Sequence, residues 1–260
     1  MLKLLKGLFY FCAVSFFSTP SGAGAAAPKP TVVLVHGAFA ESASWNGVVD
    51  ELAGSGYRVI AAANPLRGVA SDAASVSALL KAIDGPVVLV GHSYGGAVIS
   101  AAANGASNVK ALVFVAAFAP DTGESCLGLT GKFPGSTLPP TLAPPVKLAD
   151  GGEDLFIQQD KFPAQFAADV PPAQARTMAA TQRAIKSSAL AELAGAPAWK
   201  SLPSWSIYGS SDLNIPAAAM AWMAERAHAR KTVVVPGASH VVMVSHPREV
   251  AALIQQAASN

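Results

Sequence analysis

A serine with glycines on both sides occurs at residues 91–95, where Gly-His-Ser-Tyr-Gly fits the pattern G-x-S-x-G. The pentapeptide directly follows an apolar stretch at 87–90 that is typical of a strand, and it precedes a helical stretch at 97–103. A sharp strand-to-helix turn exposes a serine hydroxyl at the carboxyl edge of a sheet, and flanking glycines avoid steric clashes in that turn. Ser93 is therefore the predicted nucleophile.

A serine hydroxyl at neutral pH needs a base to accept its proton and an acid to orient that base. His240 lies in the loop after a strand predicted at 232–235, and Asp212 follows a strand predicted at 204–208. His240 follows Asp212 by 28 positions, a spacing that accommodates one helix and one strand. We predict a catalytic triad of Ser93, His240 and Asp212, with Asp121 as the alternative acid.

Negative charge that develops on a substrate oxygen needs N–H donors near the nucleophile. The backbone amide of Tyr94 follows the nucleophile directly, and the loop after the first predicted strand offers the amide of Ala38. Gly37 lets this loop approach the serine closely. Ala38 is thus the preferred second donor and Phe39 the alternative, while the side chain of Phe39 is predicted to form a wall of the substrate pocket.

Six short apolar runs are typical of strands that are buried in a parallel sheet. They are Thr31–His36, Arg58–Ala62, Pro86–Gly91, Ala111–Ala116, Ser204–Tyr208 and Thr232–Val235. Helical stretches such as Ser71–Ile83 lie between most of them, and Pro216 and Pro247 suit the first turns of helices. The alternation predicts an α/β fold with a mostly parallel sheet of about six strands and helices on both faces.

Residues 121–200, the insertion, interrupt this alternation. They contain no convincing strand, five prolines between 134 and 145, and a helical stretch from Pro172 to Leu193. We interpret the insertion as a mainly helical lid, because its four phenylalanines need other residues to pack against. These rings, Leu155 and Met178 suggest an apolar pocket, but packing of the lid on the core would require the same residues and is the preferred role for most of them. The core is predicted at 26–120 and 201–260.

The N-terminus has the pattern of a signal peptide over residues 1–25. Two lysines precede an almost uninterrupted apolar stretch at 8–17, and small residues suited to signal peptidase follow. The stretch is shorter than the roughly 20 residues that a membrane-spanning helix needs, so cleavage near Ala25 is preferred over a retained anchor. Cleavage after Ala27 is the alternative. We predict an exported, periplasmic or secreted protein with no stable membrane anchor after cleavage.

Composition narrows the class of protein further. With 52% apolar and 13% charged residues, the chain of 260 residues lacks the composition of a disordered protein. The net charge of +2 becomes zero without Lys3 and Lys6, and no basic run could neutralise a row of phosphates, so no nucleic-acid partner is expected. After cleavage Cys126 is the one remaining cysteine, which rules out an internal disulfide; no base near it in the sequence favours a nucleophilic role.

Several motifs together resemble the α/β-hydrolase superfamily. They are His36-Gly-Ala-Phe39, Trp45, Gly91-His-Ser-Tyr-Gly-Gly96, Val115-Ala-Ala-Phe-Ala-Pro-Asp121 and Gly237-Ala-Ser-His240. More narrowly, they resemble the branch that contains plant methylesterases, hydroxynitrile lyases and related bacterial serine esterases, over about residues 31–257. The resemblance implies the α/β-hydrolase fold, the triad Ser93, Asp212 and His240, and oxyanion amides at Ala38 and Tyr94.

Two departures from that branch narrow the expected activity. Its lyases carry a lysine directly after the catalytic histidine and a threonine after the first-strand histidine, whereas this chain has Val241 and Gly37. Cyanide chemistry is therefore not expected. Epoxide hydrolases and dehalogenases carry aspartate at the nucleophile position, and Ser93 excludes both.

We predict a serine carboxylesterase that cleaves esters of small to medium apolar molecules through an acyl-enzyme, with no metal and no organic cofactor. The same triad would also serve a cofactor-free perhydrolase or haloperoxidase, or an amidase or lactonase. The alternative from another class is a ligand receptor on the same fold that lacks activity.

Overall fold

The structure, a computed structural model, describes residues 28–260, so the predicted signal peptide lies outside the described residues. The strands are β1 (Thr31–Val35), β2 (Val59–Ala62), β3 (Val87–His92), β4 (Val109–Val115), β5 (Val146–Lys147), β6 (Glu153–Leu155), β7 (Ile185–Lys186), β8 (Ser204–Gly209) and β9 (Lys231–Val235). The helices are α1 (Asn46–Gly54), α2 (Val69–Lys81), α3 (Gly95–Ala102), α4 (Cys126–Lys132), α5 (Phe162–Phe166), α6 (Pro172–Thr181), α7 (Ser187–Ala191), α8 (Ala217–Arg226), α9 (Val242–Ser245) and α10 (Pro247–Ala258).

The main sheet has six strands in the order β2-β1-β3-β4-β8-β9, and every neighbouring pair is parallel. All six predicted strands occur, with ends within two residues of the predicted ones. Every residue of β1, β3 and β8 is buried, which explains their continuous apolar character. The predicted α/β fold is confirmed.

The direction of the crossovers decides which face each helix covers. The chain moves one way across the sheet from β1 through α1 to β2, and the opposite way from β2 through α2 to β3 and through α3 to β4. Right-handed crossovers in opposite directions place their helices on opposite faces. Helices α2 and α3 therefore share one face and contact each other, while α1 lies on the other face and packs against α10.

The same change of direction opens a crevice at the carboxyl edge of the sheet. The loops that leave β1 and β3 diverge there, and such a point is where ligands bind in open α/β sheets. Ser93 follows β3 and Ala38 follows β1, while Asp212 and His240 follow β8 and β9. The four predicted positions therefore lie at one edge of the sheet.

The insertion differs from its prediction in two respects. It contains three short antiparallel strands, β5, β6 and β7, so the expectation of no strand was wrong. The helix predicted from Pro172 to Leu193 is divided into α6 and α7 by β7. The break follows Thr181, where the side chain of Gln182 hydrogen-bonds the backbone N–H and C=O of Ile157, at 2.9 and 2.8 Å, and the next residues pair with β6. Its role as a lid remains a prediction.

Two acidic side chains of the insertion bind the core. Asp154 forms an ion pair with Arg67 at 2.7 Å. Glu192 accepts hydrogen bonds from the amides of Val69 and Ala70, at 2.7 and 3.0 Å, which are the first amides of α2. Because the first N–H groups of a helix lack partners within the helix, Glu192 acts as a cap supplied from elsewhere in the chain. Within residues 28–260 no helix is long and apolar enough to cross a membrane.

Gly209 ends β8 where the loop that carries His240 passes closest to it. A Cβ atom at this position would overlap the carbonyl oxygen of Ala238 and would lie 2.7 Å from that of Ser239. Both contacts are to backbone, which has little freedom to move aside. Glycine at 209 is thus a condition for the position of the His240 loop.

We expect Gly209→Ala to lower the free energy of unfolding by about 1–3 kcal/mol, the usual cost of an overpacked position. Gly131→Ala is the matched control, because a Cβ at Gly131 in α4 meets no atom within 4 Å. Alanine there should be neutral or stabilising by up to about 1 kcal/mol. Urea unfolding of both variants measures the difference; equal stability of the two would contradict the proposed role of Gly209.

Candidate active site

Ser93 occupies a sharp turn that requires glycine two residues before it and two residues after it. Its backbone has a positive φ of 53°, in the left-handed region that is costly for a residue with a side chain. A Cβ at Gly91 would lie 2.6 Å from the carbonyl oxygen of Gly95, and one at Gly95 would lie 2.6 Å from that of Val35. The two glycines of the motif therefore serve close backbone approach, and the strained turn directs Ser93 into the crevice.

His240 connects Ser93 to Asp212. Its Nε2 lies 2.9 Å from the Ser93 hydroxyl oxygen, and its Nδ1 lies 2.6 Å from Oδ2 of Asp212. The other carboxylate oxygen accepts the amides of Asn214 and Ile215, at 2.7 and 3.0 Å. Since Asp212 accepts at Nδ1, that nitrogen carries the proton and Nε2 is free to accept the serine proton.

The alternative acid, Asp121, does not reach this histidine. Its carboxylate pairs with the ammonium group of Lys200. The hydrogen bond from this ammonium group lowers the pKa of the Asp121 carboxyl. The structure therefore brings together Ser93, His240 and Asp212 and leaves Asp121 outside the cluster.

The backbone amides predicted to face the substrate oxygen differ in their partners. The Phe39 amide donates to the carbonyl of Arg183 at 3.1 Å, whereas the amides of Ala38 and Tyr94 donate to no protein acceptor among residues 28–260. A Cβ at Gly37 would lie 2.6 Å from Cβ of Ser93, so this loop touches the serine turn. The amides of Ala38 and Tyr94, unlike that of Phe39, are therefore available to a substrate oxygen beside Ser93.

Asp72, which sequence reasoning missed, holds the residue after the nucleophile. Its buried carboxylate accepts the Tyr94 hydroxyl at 2.9 Å and the Arg67 amide at 3.1 and 3.2 Å. Burial and this neighbouring carboxylate raise the pKa of Tyr94, so the hydroxyl keeps its proton and donates. A signal was available, because Asp72 precedes Val76 and Leu80 at four-residue spacing and so lies on the apolar face of α2.

Two further histidines support the site as neutral groups. His36 donates from Nδ1 to the Gly37 carbonyl and accepts the Asn64 amide at Nε2, both at 2.9 Å, and burial lowers its pKa to about 4. Nε2 of His92 lies 3.2 Å from the carbonyl oxygen of His240, and burial together with the nearby His240 ring lowers the pKa of His92. One histidine therefore holds the Ala38 loop, and the other holds the His240 loop.

We expect the free energy of unfolding to decrease as the pH is lowered below about 6.5, in part because of His36. The unfolded residue takes up a proton near pH 6.5, whereas the folded one does so only near pH 4. Between these values the unfolded state binds more protons, which costs up to about 3 kcal/mol by pH 4. Urea unfolding at pH 7 and pH 5 should show a smaller loss for His36→Gln than for the wild type. An equal loss in both would refute this origin.

A cavity of about 200 Å³ adjoins Ser93 and His240. Its lining is almost entirely apolar, and Phe39 forms part of it. The insertion contributes most of the remaining side chains, namely Cys126, Leu127, Thr130, Leu138, Pro139, Leu142, Leu155, Phe166 and Leu190. Leu155 and Phe166 line this cavity, whereas Met178 lines a separate cavity of which Phe39 also forms part.

Cys126 lies in the cavity wall as a thiol. Burial raises its pKa to about 12, so it lacks the thiolate that a nucleophile needs.

Among residues 28–260, no group of three or more His, Cys, Asp or Glu side chains is arranged to hold a metal ion.

A parallel sheet covered by helices on both faces, with a serine in the strained turn after β3 and a histidine–aspartate pair after β9 and β8, defines the α/β-hydrolase class. The family model described as "Alpha/beta hydrolase family" matches residues 32–253. The chain therefore belongs to the alpha/beta hydrolase family.

This chain aligns with a curated protein and with solved structures over nearly the full length of each of those proteins. The chain is 26% identical over 249 residues to the alpha/beta hydrolase nvfD of Aspergillus novofumigatus, covering 88% of this chain and 97% of that protein. It superposes on polyneuridine aldehyde esterase with a TM-score of 0.76 at 20% identity, over 88% and 99% of the two chains. For the methylesterase MES16 from Arabidopsis the TM-score is 0.71 at 17% identity, again over 88% and 99%. The predicted resemblance to the α/β-hydrolase superfamily is confirmed, and solved structures of the same fold include these two esterases.

Proposed function

We propose that this protein is an exported serine hydrolase that cleaves carboxylic esters of small apolar molecules. The observation that carries the proposal is the buried hydrogen-bonded series Asp212, His240 and Ser93 beside an apolar cavity. Export rests on the lysines, apolar stretch and small residues of the N-terminal 25 residues. The esterases among the structural neighbours support ester substrates, and Gly37 and Val241 argue against lyase chemistry.

In the first half of the reaction, Ser93 is acylated. Its oxygen attacks the ester carbonyl carbon while His240 accepts the hydroxyl proton at Nε2. Asp212 stabilises the imidazolium that results and keeps its tautomer and orientation. The amides of Ala38 and Tyr94 donate to the oxyanion of the tetrahedral intermediate. The intermediate then expels the alcohol, whose oxygen receives the proton from His240.

Water completes the cycle by the same route. His240 accepts a proton from a water molecule at Nε2 as the water oxygen attacks the acyl carbon. The second tetrahedral intermediate uses the same two amides, and its collapse breaks the bond to the Ser93 oxygen. His240 returns its proton to Ser93, and the carboxylic acid leaves.

We expect Ser93→Ala to abolish turnover of p-nitrophenyl butyrate, because it removes the hydroxyl that lies 2.9 Å from Nε2 of His240, while thermal unfolding stays nearly unchanged. Ser100→Ala is the matched control, since Ser100 is a buried hydroxyl on α3 that has no hydrogen-bond partner among the described residues. That variant should keep full activity. Steady-state kinetics and calorimetry on the three proteins test both statements.

The outcome that overturns the nucleophile assignment is undiminished turnover by Ser93→Ala. Covalent labelling with an organophosphonate adds a readout independent of turnover. Labelling of the wild type but not of Ser93→Ala supports an activated serine. An unlabelled wild type that still binds an ester ligand would favour the receptor alternative.

The size of the cavity predicts a preference for short acyl chains. A volume of about 200 Å³ equals about seven water molecules at about 30 Å³ each, and pockets for drug-sized ligands begin at roughly 300 Å³. Among p-nitrophenyl esters we expect kcat/KM to be at least about tenfold higher for butyrate than for decanoate. A maximum at decanoate would contradict the proposed substrate class.

Two leucine variants give this prediction its control. Leu155→Ala enlarges the cavity and should shift the preference toward longer chains. Leu193→Ala lies on the same insertion but is 66% exposed and outside the cavity lining, so it should leave the preference unchanged.

A further inference from the structure

A single stretch of the insertion contacts the loops of both Asp212 and His240. This stretch, the α5 segment, comprises residues 162–170. From it the buried side chain of Gln165 donates to the Leu213 carbonyl at 2.9 Å and to Oδ1 of Asn214 at 3.2 Å. The side chain of Asn214 donates in return to the Gln165 carbonyl at 3.1 Å. The loop directly after Asp212 is thereby tied to the α5 segment.

The end of the same segment holds the residue before His240. Ser239 is buried, and its hydroxyl donates to the carboxylate of Asp169 and lies 3.4 Å from the Phe166 carbonyl oxygen. The second carboxylate oxygen of Asp169 lies 3.6 Å from Nδ1 of His246. The ring of Phe166 also packs against the imidazole of His240, with centroids 5.0 Å apart.

We propose that Gln165 and Asp169 are positioning residues that keep the carboxylate of Asp212 and the ring of His240 at hydrogen-bonding distance and orientation. The acid and the base follow different strands, yet their bond of 2.6 Å requires their two loops to stay fixed relative to each other. The α5 segment is attached to both loops close to the catalytic residues, at Asn214 two residues after Asp212 and at Ser239 directly before His240. Neither Gln165 nor Asp169 touches the reacting atoms, so each acts through the loop it binds. The inference rests on the proposed function.

Removal of the hydrogen bond between Ser239 and Asp169 tests the proposal. Asp169→Ala and Ser239→Ala should each lower kcat for p-nitrophenyl butyrate by roughly 10- to 100-fold with little change in KM, because a small misplacement of a catalytic group has effects of this size. Asp169→Asn keeps an oxygen that accepts the Ser239 hydroxyl, so it should retain most of the activity. The kcat of the double variant Asp169→Ala/Ser239→Ala should be no lower than that of either single variant, because each single change already removes the same hydrogen bond. Gln165→Met, neutral and of similar size, should lower kcat in the same way.

Asp154→Ala is the control for general loosening of the insertion. It removes another contact between the insertion and the core, the ion pair with Arg67, without touching either catalytic loop. Its kcat should stay within about twofold of the wild type, since partly exposed ion pairs contribute little. A loss as large as that of Asp169→Ala would overturn the positioning role.

A readout that needs no substrate separates this inference from the proposed function. The proton on Nδ1 of His240, hydrogen-bonded to Asp212, gives a low-field proton NMR signal that directly reports the geometry of this hydrogen bond. We expect the signal to be displaced or lost in Asp169→Ala and Ser239→Ala and kept in Asp169→Asn and Asp154→Ala. An unchanged signal in Ser239→Ala, which deletes a single oxygen atom, would refute the inference. A wild type that gives the signal but cleaves no ester would refute the proposed function alone.

Discussion

The hydrogen bond between the carboxylate of Asp212 and the ring of His240 is the interaction on which the carboxyl edge of the sheet depends. Removing a carboxylate from water costs several kcal/mol unless donors replace the lost hydration, and Asp212 has two backbone amides and the imidazole. These donors belong to the loops after β8 and β9, so the bond requires both loops to hold their shape. Gly209 permits their close approach, and His92 and the α5 segment fix the loop of His240 from two sides.

Much of this arrangement could be predicted from local patterns in the sequence. The six strands of the main sheet are short apolar runs. Burial on both faces explains the continuous apolar character of β1, β3 and β8, whereas the edge strands β2 and β9 are partly exposed and are recognisable by their apolar residues alone. Once the strands are known, Ser93, Asp212 and His240 stand out because each follows a strand end. The parallel sheet then brings the three residues to one edge, whatever the length of chain between them.

Features that depend on pairing between distant residues could not be predicted in this way. Strands β5, β6 and β7 are two or three residues long and exist through their pairing with one another. The contact of Ser239 with Asp169 spans 70 residues, and that of Gln165 with Leu213 spans 48. No local periodicity records such contacts. Asp72 is different, because its place on the apolar face of α2 was readable from spacing alone.

The attachment of Glu192 to the start of α2 has a consequence for modularity. Helix α2 carries Asp72, which binds the side chain of Tyr94, so a side chain of the insertion caps a helix that itself supports the serine turn. A segment transplanted from another hydrolase would leave two helix amides without their acceptor and Arg67 without Asp154, unless it carried acids at equivalent points. The insertion is therefore not an interchangeable part. Redesign of substrate range in this scaffold should replace side chains within the cavity wall rather than exchange the segment that supplies them.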